Sequence, residues 1–112
     1  MSGRTALILA LAILAEVVAT TALKASDGFS RLWPSLVVVG GYGIAFLCMS
    51  VAMRSVPIGI IYALWSGIGI VLITVAGFAI YGERLDAPAL VGLGLIVAGV
   101  VVINALSGSV RG

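Results

Sequence analysis

Residues 57–81 read PIGIIYALWSGIGIVLITVAGFAIY. No Asp, Glu, Lys or Arg interrupts the run. At about 1.5 Å per residue, a helix of this length crosses the roughly 30 Å of hydrocarbon in a bilayer. Pro57 opens it in the first turn, where a missing N–H costs nothing. A soluble domain that buried such a helix would need a polar exterior. The chain has 112 residues, 62% of them hydrophobic and 9% charged, which is too few charges to supply one. The run is therefore a membrane span.

Outward from it, three more apolar runs meet the same length requirement, at 5–23, 33–53 and 87–106. The charges fall between them: Lys24, Asp27 and Arg31, then Arg54, then Glu83, Arg84 and Asp86. Gly28 marks the first connector, Pro34 and Pro88 sit in first turns, and Asp86 is placed to cap the last helix. Trp33 and Tyr81 fall at span ends, where amphipathic rings favour the headgroup region. The expected fold is an all-α integral membrane bundle, one domain over residues 1–112. Arg4 followed by apolar residues faintly resembles a signal peptide, but cleavage would leave three spans and nothing to export, so the segment is read as a span. Cys48 lies alone within a span, which excludes a disulfide framework. With no His and one Cys, neither a metal nor any other cofactor is expected. A net charge of +2 is too small to suggest nucleic acid.

Counting Lys and Arg by side puts Arg4, Arg54 and Arg111 against Lys24, Arg31 and Arg84. Three against three gives the positive-inside rule almost nothing to act on. A weak bias completed by the N-terminal amine or by partners accounts for this. So does dual topology, with copies inserted both ways and paired antiparallel.

Glu16 is the only acid or base deep inside a span, about 16 Å from the start of its helix and close to the bilayer midplane. Charged side chains at that depth cost on the order of 2.5–3.5 kcal/mol even on insertion scales, and mark proton relays or ion pathways. Such a group can hold a proton and release it to a cation. The alternative is a neutral Glu hydrogen-bonded to a neighbouring helix.

Leu9, Ala12, Ile13, Ala19 and Thr20 share the face of Glu16 by helical spacing and are expected to line its pocket. Tyr42 and Trp65 lie at similar depth on other spans, too deep for interface anchors. Tyr62 and Trp65 share a face, as do Tyr42, Phe46 and Met49. An acid with aromatic walls is suited to an organic cation, each ring adding about 0.5–2 kcal/mol. Four helices enclose little space, so a homodimer is expected. Gly92, Gly94 and Gly99 of the last span are its candidate contacts, since small residues let membrane helices approach. Gly67 and Gly69 interrupt the third span beside Trp65 and are the candidate hinge.

The segments 15–21 (AEVVATT), Lys24, Gly28-Phe29, 31–34 (RLWP), Pro57, 62–70 (YALWSGIGI) and 92–100 resemble the small multidrug resistance family, in its quaternary-ammonium-exporting subtype. The resemblance covers nearly the whole chain. It implies an antiparallel homodimer in the bacterial inner membrane that exchanges protons for lipophilic or quaternary cations. It places the proton- and substrate-binding carboxylate on Glu16, the stacking tryptophan on Trp65 beside Ser66, and the cavity tyrosines on Tyr62 and Tyr42. Ala6 stands where this subtype carries a tyrosine, and Ala19 where a glycine often follows the glutamate. A guanidinium-type exporter is the nearest alternative, but its members tend to carry a first-helix Trp and a Thr at the position of Ser66. A heterodimeric assembly or lipid-carrier subunit would also suit the balanced charges. A pore is disfavoured by an apolar lining, and an enzyme by the lack of any nucleophile–base pair. The segment 83–86 reads as a solvated loop, not a second site.

Overall fold

The computed structural model describes residues 2–108 as four helices, each long and apolar enough to cross a membrane: α1 Gly3–Ala25, α2 Leu32–Ala52, α3 Ile58–Tyr81 and α4 Ala87–Leu106. Arg111, counted in the charge balance, lies outside the described residues. Helix α1 starts two residues before the expected Thr5 because Ser2 caps it. The Ser2 hydroxyl accepts from the Thr5 amide at 3.1 Å. It ends two residues after Leu23, where Ser26 closes the last turn through its hydroxyl to the Leu23 carbonyl. Pro57 is the N-cap of α3 and not its first residue. Asp86 caps α4, its carboxylate accepting from the Ala89 amide at 3.1 Å.

Two contacts show which chain ends lie together. The Thr5 and Ser55 hydroxyls meet at 3.0 Å, which joins the N-terminus to the α2–α3 connector. At the other end, Lys24 pairs with Glu83, which joins the α1–α2 and α3–α4 connectors. The α1–α2 connector reverses direction through three successive left-handed residues, Asp27, Gly28 and Phe29. Only the glycine adopts that conformation freely. Buried Ser26 holds the turn, its hydroxyl accepting from the Phe29 amide and its carbonyl from the Arg31 amide.

Helix α1 packs against both α2 and α3, and α4 packs on α3. Lipid tails are as apolar as leucine, so close van der Waals approach holds these helices together, not exclusion of water. Small residues permit it. A Cβ added at Gly41 would lie 2.8 Å from Ala19 Cβ and 3.0 Å from the Ala15 carbonyl oxygen. At Gly67 it would overlap a Val100 methyl. The core gathers Leu9, Ala12, Ile13, Met49, Ala52, Val56, Ile61 and Leu64. No described residue of α4 is buried.

Gly40 borders open space whereas Gly41 meets backbone. Gly41→Ala is therefore expected to lower unfolding stability in micelles by about 1–3 kcal/mol, and Gly40→Ala to leave it near wild type. Equal stability of the two variants would refute the close α1–α2 contact.

Candidate functional site

The carboxyl of Glu16 projects from the middle of α1 toward α3, where a cavity of about 290 Å³ opens between the helices. Glu16 and Thr20 line it from α1, and Tyr62, Trp65, Ser66, Gly69, Ile70 and Ile73 line it from α3. A Cβ at Gly69 would stand 3.5 Å from Glu16 Oε2, so the glycine leaves that oxygen open to the cavity. The other oxygen, Oε1, accepts a hydrogen bond from the Thr20 hydroxyl at 2.7 Å, one turn along the same helix. Thr20 Oγ1 lies 2.5 Å from the Tyr42 hydroxyl on α2. Since Thr20 gives its single proton to Glu16, Tyr42 must donate to Thr20. The chain Tyr42–Thr20–Glu16 thus links three polar groups across two helices in an apolar setting. Among the described residues the one ion pair is Lys24–Glu83, so Glu16 has no described cationic partner.

The aromatic residues expected to gather do so. The Tyr62 and Trp65 rings meet edge to face at 5.8 Å between centroids. Phe46 from α2 meets Trp65 edge to face at 6.1 Å, and Tyr42 stacks on Phe46 at 6.0 Å. Trp65 is half-buried at the centre, while Tyr62 stays 60% exposed, so the cavity opens sideways from the protomer.

Other expected lining residues stand elsewhere. Leu9, Ala12, Ile13 and Met49 are buried in the α1–α2–α3 core, and Leu9 and Ile13 border a separate apolar cavity of about 390 Å³ with Leu64, Val100 and Asn104. Ala19 is fully buried against Gly41. Three- and four-residue spacing defines a broad arc of a helix, and within that arc α2 claims the side carrying Ala19. Gly67 faces Val100 on α4, whereas Gly69 faces Glu16, so the two candidate hinge residues have different neighbours within a continuous helix. Gly92, Gly94 and Gly99 border open space. Ile70 and Ile73 escaped the sequence reading, although four- and seven-residue steps from Ser66 reach both. The contact of Glu83 with Lys24 was also missed, since nothing local links residues so far apart.

The sequence model of the family described as Small Multidrug Resistance protein matches residues 5–96. The chain is 54% identical to the quaternary ammonium compound-resistance protein QacE of Escherichia coli over 101 residues, covering 90% of this chain and 92% of that protein. It is 54% identical to the quaternary ammonium compound-resistance protein QacF of Klebsiella aerogenes over 99 residues, 88% and 90% of the two chains. It is 50% identical to the multidrug transporter EmrE of Escherichia coli strain K12 over 98 residues, 88% and 89%. With four apolar spans and a family match that begins before Glu16 and runs into α4, the chain belongs to the small multidrug resistance family and is a multi-pass protein of the bacterial inner membrane.

Proposed function

We propose that the protein exports lipophilic and quaternary ammonium cations in exchange for protons, as an antiparallel homodimer that alternates access to its two sides. The observation that carries this reading is the Glu16 carboxyl, without a described cationic partner, in a cavity walled by Tyr62 and Trp65. A cation entering there gains charge pairing from the carboxylate and about 0.5–2 kcal/mol from each ring face it meets. The relatives named for quaternary ammonium resistance and multidrug transport support the same substrate class.

Coupling follows from the hydrogen bonds. Ionised Glu16 accepts from Thr20, which accepts from Tyr42. A proton on Glu16 lets the carboxyl donate to Thr20 and Thr20 donate to Tyr42, so the same three groups satisfy both charge states. Proton and cation then compete for one carboxylate. If only loaded forms reorient, this competition produces exchange with the proton as the sole coupling ion. Bending of α3 at Gly67 and Gly69 would supply the motion.

The dimer reading rests on α4 and on charge. Gly92 and Gly99, seven apart on one face, offer a surface for close helix approach, Gly94 thins a neighbouring face, and no described residue lies against any of the three. Arg4 and Arg54 lie toward one end, and Lys24, Arg31 and Arg84 toward the other, a balance that suits insertion in both orientations.

In proteoliposomes a pH gradient is expected to drive uptake of tetraphenylphosphonium. Glu16→Gln should abolish it, and Trp65→Leu should raise KM about tenfold. Gradient-driven uptake by Glu16→Gln at the wild-type rate would overturn the exchange reading. For topology, Cys48→Ser protein with a single cysteine at Ser2 should label from each side of the membrane in about half the molecules. Labelling from one side only would refute dual topology.

A further inference from the structure

Glu16, Thr20 and Lys24 recur at four-residue spacing and lie along one stripe of α1. The cavity lining on α3 follows the same direction through Ser66, Gly69 and Ile73. The cavity lining ends at Thr20 and Ile73, and Lys24 and Tyr81 lie one and about two helical turns beyond those residues. There Lys24 Nζ meets the Glu83 carboxylate and lies 5.0 Å from the centroid of the Tyr81 ring. The Tyr81 hydroxyl donates to the Thr21 carbonyl at 2.6 Å, which fixes the ring against α1.

Glu83 is held in place by its backbone. Gly82 takes the left-handed conformation that ends α3, and the Glu83 amide returns to the Gly77 carbonyl at 3.2 Å. The side chain folds back over Gly77, so closely that a Cβ at that position would lie 2.7 Å from Glu83 Oε1. A carboxylate and a ring are thus arranged around an ammonium ion. Glu16 with Trp65 and Tyr62 is the same combination of groups, except that here the chain supplies the cation itself.

We infer that Glu83 and Tyr81 form a second, peripheral site for an organic cation at the ends of α1 and α3 beyond the Glu16 cavity, occupied in the resting protein by Lys24 as a tethered competitor. The Lys24 and Glu83 side chains are 54% and 50% exposed. Exposed ion pairs contribute little net stability, so an arriving cation can displace this one. An aromatic or quaternary cation also covers more of the Tyr81 face than a compact ammonium does. The connector is more than a solvated loop: it presents a first contact for substrate before Glu16. That staging role rests on the exchange reading, whereas binding at the site does not.

Full-length protein carrying Glu16→Gln isolates the peripheral site. Adding Lys24→Met is expected to strengthen tetraphenylphosphonium binding about threefold or more. Adding Glu83→Gln as well should remove that gain, and Lys24→Arg should behave as the Glu16→Gln protein alone. Lys24 is the only lysine in the chain, so its side-chain nitrogen can be followed by magnetic resonance without overlap from any other lysine position and without a charge-removing variant at this site. In Glu16→Gln protein that signal should shift saturably as tetraphenylphosphonium is added. A silent Lys24 signal, or a gain that survives Glu83→Gln, would overturn the inference. Because every arm lacks the Glu16 carboxylate, the result is independent of whether Glu16 exchanges protons.

Discussion

A carboxyl group at the middle of a membrane helix has no bulk water to serve it, and the rest of this structure is arranged around that constraint. Glu16 sits on α1, which packs against both α2 and α3. Its surroundings are divided between them. Tyr42 on α2 reaches one oxygen through Thr20, while Gly69 on α3 leaves the other open to a cavity. One oxygen is thus tied to the scaffold and the other faces space large enough for a guest. The aromatic residues continue this division, running from Tyr42 through Phe46 to Trp65 and Tyr62.

Holding the carboxyl there requires helices that fit closely without help from water exclusion. Gly41 brings α2 onto the α1 backbone beside Ala15 and Ala19, close enough for Tyr42, the next residue, to reach Thr20. Gly67 seats α4 against α3 through Val100. The glycines of α4 itself, Gly92, Gly94 and Gly99, have no such partner among the described residues. Two kinds of glycine therefore occur in one small bundle: those already filled by a neighbour, and those whose surface awaits one. A second copy of the chain is the proposed occupant.

Much of this was legible in the sequence. The spans followed from apolar length, and their ends moved by two residues where Ser2 and Ser26 extended α1 and by one residue at both ends of α2 and at the start of α3. Depth brought Tyr42 and Trp65 to the level of Glu16, and three-residue spacing from Trp65 added Tyr62. What failed was finer than depth. Leu9, Ala12, Ile13 and Ala19 share an arc with Glu16, but helical spacing cannot tell which part of an arc a neighbouring helix covers. Ala15 and Ala19, four apart, carried the missing signal, since small residues at that interval mark close helix contact. The contacts of Lys24 with Glu83 and Tyr81 had no local signature, because they join elements at opposite ends of the chain.

The central claim is that proton and organic cation contend for the same carboxylate. It is tested most directly by adding tetraphenylphosphonium to weakly buffered, detergent-purified protein and recording the pH. The account predicts proton release that saturates with the cation and disappears in Glu16→Gln. Saturable binding by the wild type with no proton released at any pH tested would contradict it.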